Sequence, residues 1–245
     1  MRGLLFNVAA TAALAMVSYP MTEAAAPISD GSIFKETFTS YPEDPHSAAI
    51  GAGANLSSGF MHIETTVGTE GVFRAADVNI PASTEYVMEY DYRVNSNSGD
   101  NFYLLYTQDN NIAPYQQDIL MRVYDDTSTP STWEFQIDDN SPPGYHQHGG
   151  FNYGQWYHFT VHHTNNVNND IAVYVDGSLL GTYKDRQPGL ELSLAQFGDS
   201  SGGGGYGNAD VDNVSIGAPV VPEPASLGLL ATGLVTLRRR RAAKR

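Results

Sequence analysis

The feature that most constrains this chain is a strict alternation. Tyr86, Met88, Tyr90, Tyr92 and Val94 alternate with Val87, Glu89, Asp91 and Arg93. Successive side chains on a β-strand point to opposite faces, so this run has one face to bury and one for water. A helix would scatter the same apolar side chains around its circumference. Trp133, Phe135 and Ile137 alternate with Glu134 and Gln136 in the same way, and Tyr157, Phe159 and Val161 with His158, Thr160 and His162. Ile171 to Val175 and Ser178 to Tyr183 flank Asp176-Gly177, a pair suited to a tight hairpin because both central positions need positive φ. Further strands are expected at 33–39, 59–66, 71–80, 101–107, 118–124, 190–197 and 209–216. One-faced strands must bury their apolar sides against each other, so the pattern predicts an all-β, two-sheet antiparallel sandwich.

Both ends depart from this pattern. Met1-Arg2-Gly3 precedes an uncharged apolar run from Leu4 to Val17 and small residues at Ala24-Ala25-Ala26. A basic start, an apolar stretch and a small-residue exit describe a secretory signal helix, cut after Ala24. At the other end Pro222-Glu223-Pro224 leads into an apolar stretch ending at Leu237, followed by Arg238 to Arg241. The 13 residues from Ala225 to Leu237 would make a helix about 20 Å long, short for a bilayer span. The arginines hold that end in the cytoplasm and place the body outside.

Val221-Pro222-Glu223-Pro224-Ala225-Ser226, a short apolar helix and a terminal arginine cluster together resemble the PEP-CTERM sorting signal of bacteria. The resemblance implies recognition by an exosortase, with Pro222, Glu223 and Pro224 as a substrate motif, and a transient inner-membrane anchor through the C-terminal helix. It divides the chain into a signal peptide at 1–24, a body at 25–217 and a sorting tail at 218–245. It also implies export to the cell surface or beyond, in company with extracellular polysaccharide.

Charge and cysteine content narrow the chemistry. The body carries 25 acidic and six basic residues, a formal charge near −19, which repels nucleic acid and anionic lipid. With no cysteine, thiolate nucleophiles, thiolate-bound zinc and disulfides are excluded.

Gly154-Gln155-Trp156-Tyr157-His158-Phe159-Thr160-Val161, Ile171 to Gly177 and the closing Ala209 to Ile216 resemble LamG-like domains, which belong to the concanavalin A-like lectin/glucanase jelly rolls. The resemblance implies a jelly-roll body that binds glycan or protein. Structural Ca²⁺ in such folds often lies between the first and last strands, which points to Glu36, Asp210 and Asp212. Glycan contacts call for exposed aromatics beside hydrogen-bonding groups, which the stretch 140–153, read as a loop, supplies. Tyr115, Tyr145, His146, His148 and Tyr153 are the expected contacts. Trp133 and Trp156 fall on apolar faces and are expected in the core.

Catalysis is disfavoured. Glu89-Tyr90-Asp91 begins like the Glu-x-Asp-x-x-Glu of some glucanases, but Val94 stands where the second carboxylate would be. His158 and His162 are too far apart along a strand to share one metal ion. The four glycines from Gly202 to Gly205 lack the lysine and helix start of a phosphate loop. The reading is an exported, non-catalytic polysaccharide-binding protein. The alternatives are a purely structural matrix component and a glycoside-active enzyme.

Overall fold

The computed structural model describes residues 26–66, 69–81, 84–97, 102–109, 116–125, 129, 131–139, 144–164, 170–186, 191–199 and 207–220. The expected signal helix and apolar tail helix lie outside these residues, as do Tyr115 and Gly202 to Gly205. The described chain is all-β, and none of its residues form a helix.

One sheet has seven strands, in spatial order β11 (Tyr145–Asn152), β10 (Thr132–Asp138), β9 (Gln116–Asp125), β8 (Phe102–Asp109), β15 (Leu192–Asp199), β6 (Gly71–Ile80) and β3 (Ser47–Ile50). The second runs β14 (Ser178–Lys184), β13 (Asp170–Val175), β12 (Tyr157–His163), β7 (Tyr86–Asn97), β16 (Gly207–Gly217), β5 (Phe60–Thr65) and β4 (Ala54–Ser57). Its eighth strand, β2 (Phe34–Glu36), pairs with the end of β16, so the first and last strands of the body meet as expected. A two-stranded ribbon joins β1 (Ile28–Ser29) to β17 (Pro219–Val220). All these pairings are antiparallel.

The alternation read from the sequence is the burial pattern of the strands. Tyr86, Met88, Tyr90, Tyr92 and Val94 face inward and are at most 2% exposed, while Glu89, Asp91 and Arg93 face out; Val87, read with the wet face, is also fully buried. The inner faces meet through aromatic packing. Tyr90 stacks on Phe159 at 5.4 Å between ring centroids and meets Phe197 of the opposite sheet edge-on at 4.9 Å. Trp133 stacks on Phe151 at 4.9 Å. Such pairs add about 0.5–1.5 kcal/mol each beyond the area they bury. The Asp176-Gly177 turn takes φ values of 50° and 78°, the geometry that its sequence predicts for joining β13 to β14.

Three expectations are corrected. Residues 145–152, read as loop, form edge strand β11, whose glycines and histidines hide the alternation. Two short strands, β3 and β4, were not anticipated at all. Trp156 is not in the core: it lies partly buried on the outside of the second sheet, 5.8 Å from Phe60.

A candidate ligand groove on the seven-stranded sheet

Residues directly opposite each other in an antiparallel pair share a face, so the register lays out the outer surface of this sheet. Arg74 on β6 is opposite Gln196 on β15, which is opposite Tyr106 on β8. On the other side Tyr103 of β8 is opposite Arg122 on β9, then Gln136 on β10, then Gln147 on β11. Tyr103 and Tyr106 are three residues apart, and a regular strand would send them to opposite faces. A bulge between Tyr103 and Leu105 resets the alternation, burying Leu104 and Leu105 together and turning both tyrosines outward. Their rings lie 5.3 Å apart.

This face turns away from the sandwich core, yet its floor is closed to water. Leu120, opposite Tyr106, is 0% exposed; Leu194 is 5% and Gln196 2%. Neither leucine belongs to the core cluster. The outer face is therefore a well-covered floor of apolar and polar groups beneath the two tyrosines. That mixture is the lining expected of a ligand site.

The polar groups are connected. Arg74 Nε donates to Gln196 Oε1 at 2.8 Å, and burial pulls the Arg74 guanidinium below its usual value. Tyr106 donates its hydroxyl to Gln108 Oε1 at 2.6 Å. Asp138 accepts from Gln136 Nε2 at 2.8 Å and Arg122 Nη2 at 3.2 Å, with Arg186 Nη1 at 3.6 Å. Arg122 Nε is buried and has no acceptor among the described residues. An N–H shut from water without a partner is costly, and a ligand oxygen would relieve that cost. Arg122 and Arg186 thus meet at Asp138, while Arg74 lies three strands away on the same face.

The expected glycan contacts are divided. Tyr145, 47% exposed, is opposite Asp138 and so stands on the groove side at its margin. His146 and His148 are opposite Ile137 and Phe135 and turn the other way. There they close the seam to the second sheet, where His148 Nε2 lies 2.6 Å from the Tyr183 hydroxyl and the His146 ring 5.3 Å from the Tyr183 ring. Burial, with His146 nearby, pushes His148 down from the usual histidine range, and burial with Asp139 pushes Tyr183 up to about 12. Tyr153 donates its hydroxyl to Asp125 at 2.5 Å, at the strand ends. The groove tyrosines and arginines escaped the sequence reading because only the register brings five strands' residues together. The adjacent pair Leu104-Leu105 was the one local sign of the bulge.

The calcium set does not assemble. Glu36, fully buried, spends its carboxylate on the amides of Phe38, Glu43 and Asp44 and the hydroxyl of Ser47. Asp210, 1% exposed, accepts from Arg93 Nε at 2.8 Å, Arg93 Nη2 at 2.5 Å and Asn95 Nδ2 at 2.8 Å, with His62 Nδ1 at 2.7 Å. Asp212 is opposite Asp91, and burial together with Asp91 and Glu43 raises its pKa. The three carboxylates serve separate partners. Among the described residues no group of three or more histidines or carboxylates is placed to hold a metal ion.

Glu89 and Asp91 lie on the outer face of the second sheet, as expected. Both embrace His158, whose Nδ1 is 2.7 Å from Asp91 Oδ1 and Nε2 3.3 Å from Glu89 Oε1. Hydrogen bonds to Asp91 and then Glu89 push His158 up to about 10. Burial opposes ionisation of Asp91, but its bonds to His158 and Asn213 outweigh that and lower its pKa. His162 Nε2 lies 2.6 Å from Glu85.

Comparison with known proteins agrees with the fold and with the tail. The model of the PEP-CTERM protein-sorting motif matches residues 220–242. Curated proteins give no match. Among solved structures the chain is similar to a Trypanosoma rangeli sialidase in complex with sialic acid, at TM-score 0.52 and 16% identity over 70% of this chain and 27% of that one. It is similar to another sialidase at TM-score 0.51 and 14% identity over 80% of this chain. An alginate lyase from Pseudomonas aeruginosa matches at TM-score 0.51 and 12% identity, over 68% of this chain and 86% of that one. The chain spans only 18% of the length of the second sialidase. At these identities the likeness is one of fold.

Proposed function

We propose that this is an exported, exosortase-sorted surface or matrix protein whose sandwich binds an acidic extracellular polysaccharide without cleaving it. Residues 1–24 are then the removed signal, 25–217 the binding body and 218–245 the sorting tail. The tail passes through the inner membrane until an exosortase acts at Pro222-Glu223-Pro224, and the body ends at the cell surface or outside. Within sandwich proteins the body stands with the LamG-like lectins, on the strength of its 154–177 and 209–216 segments.

The observation that carries the binding reading is the row of tyrosines, amides and arginines that the register places on the outer face of the seven-stranded sheet. Tyr103 and Tyr106 offer ring faces for sugar stacking, and Gln136, partly exposed, offers its amide carbonyl to hydroxyls. Arg122, with its unanswered Nε–H, supplies the donor that a carboxylate needs.

A glycan array on the exported protein tests this, followed by calorimetry on whichever glycans bind. Binding should favour uronate-bearing chains, and Arg122→Ala should weaken it about tenfold, the loss of one charge-assisted hydrogen bond. Unchanged binding in Arg122→Ala moves the site elsewhere. Release of new reducing ends from the same glycans would establish the glycoside-active alternative. Silence in both assays would leave the purely structural one.

A further inference from the structure

The outer face of the second sheet carries an aromatic roof, on the far side of the sandwich from Tyr103 and Tyr106. Phe60 begins β5 and Trp156 directly precedes β12, with β16 and β7 lying between those strands. The two side chains reach across both strands and meet edge-on, with 5.8 Å between ring centroids. Beneath them Asp210 of β16 is opposite Arg93 of β7. The Arg93 guanidinium carbon lies 4.6 Å from the Trp156 ring centre and 5.2 Å from that of Phe60, so the cation holds both rings in place. Both rings are still partly exposed.

A pair of amides stands beside the rings. The register shift between Asn208 and Ala209 leaves Asn95 as an extra residue on β7, with no opposite number. Asn95 Nδ2 donates to Asn208 Oδ1 at 2.9 Å and to Asp210 Oδ2 at 2.8 Å, which uses both of its amino hydrogens. That leaves the Asn95 carbonyl oxygen as an acceptor and the Asn208 amino group as a donor, side by side. Asn95 is exposed and Asn208 partly exposed. The turn that carries Trp156 is pinned next to them, because Gly154 N donates to Val94 O at 2.8 Å.

We infer that Trp156, Phe60, Asn95 and Asn208 form a second polysaccharide site, which takes neutral pyranose units. The apolar C–H face of a pyranose stacks on an aromatic ring, and a vicinal diol both donates and accepts, which matches the fixed amide pair. Charge selects the neutral sugar. Arg93 is already answered by Asp210, and the acids close by are Glu64, opposite Asn208, and Asp212. An anionic sugar finds no free cation here, whereas a neutral one meets no repulsion. A protein partner fits poorly. Stable interfaces bury about 800 Å² on each side, and this face turns charged at the next outward positions, Asp91, Asp212 and His158. The inference rests on the polysaccharide reading above for its class of partner, but no residue of the first row takes part in this site. With sites on opposite faces, one body bridges two chains.

The test titrates the exported protein with linear neutral hexasaccharides of gluco, manno and galacto configuration, followed by tryptophan emission and calorimetry. The chain has two tryptophans and Trp133 is fully buried, so a change in emission reports on Trp156. At least one hexasaccharide should bind and shift the emission. Trp156→Ala should weaken that binding about tenfold or more, the loss of a central aromatic anchor, and Asn208→Ala about fivefold, the loss of one hydrogen bond. Thermal melts confirm that each variant is folded. A uronate-bearing chain fixed to a surface should capture a labelled hexasaccharide only when the protein is added. No emission change with any of the three sugars, or undiminished binding in both variants, overturns the inference. Uronate binding is read separately: if it is absent while a hexasaccharide binds, the reading of the first sheet fails and this site stands; if it is present and no hexasaccharide binds, this inference alone falls.

Discussion

Replacing Asp210 with asparagine is the sharpest test of how the outer face of the second sheet is held. Asp210 is nearly inaccessible, and it receives two donors from Arg93, one from Asn95 and a close approach from His62. Arg93 is also gripped from its faces, with its guanidinium carbon 4.6 Å from the Trp156 ring centre and 5.2 Å from that of Phe60. Asparagine keeps the shape but loses the charge and turns an NH₂ toward groups that are already donors. Leaving one partner of a buried pair uncompensated costs about 3–5 kcal/mol. Arg93 and His62 are each 25% exposed, so water recovers part of this, and about 2–3 kcal/mol is expected. For a body of this size each kcal/mol lowers Tm by about 2–4 °C, so Asp210→Asn should melt roughly 5–10 °C below the parent in calorimetry at pH 7. A double-mutant cycle with Arg93→Leu should show coupling of about 1 kcal/mol or more, because the second change removes the stranded cation. A melt within about 2 °C of the parent, or additive single effects, would refute the argument.

Two further outcomes follow from backbone and protonation. Gly198→Ala places a Cβ 2.3 Å from Gly71 O and 2.5 Å from Ile63 Cγ2 at a φ of +84°, whereas Gly177→Ala, at +78°, meets nothing within 4 Å. The Gly177 variant should lose about 1 kcal/mol and the Gly198 variant about 2–4 kcal/mol, read as the difference between their denaturant midpoints; equal losses would show that no clash operates. His158, raised from 6.5 to about 10, contributes stability that is complete below pH 6.5 and disappears as pH climbs through 10. Because its side chain is 42% exposed, the gap between the parent and His158→Gln should be only about 1–2 kcal/mol at pH 6, and should close toward pH 10 in a series of melts; a gap independent of pH would sink this account.

Much of the fold was legible because period-two alternation is a local property. Tyr86 to Val94, Trp133 to Ile137 and Tyr157 to Val161 each declared a buried face, and Asp176-Gly177 declared its turn. The groove was not legible, because it depends on register among β6, β15, β8, β9 and β10, which no short window contains. Tyr103 and Tyr106 look like residues for opposite faces until the bulge is known. Trp156 misled through its apolar character: alternation with Tyr157 puts it on the outer face with His158, where Arg93 gives the ring a cationic partner. The histidines of β11 were expected as loop glycan contacts, and strand pairing instead directs His146 and His148 into the seam beside Tyr183.

The position of β16 decides how the protein would bear load. The tail leaves from β17, which continues β16, and β16 is an interior strand with β7 on one side and β5 and β2 on the other. Tension applied through the C-terminal end of the body would run along that strand and shear hydrogen-bond rows on both flanks at once. A tether fastened to an edge strand would instead peel one bond at a time.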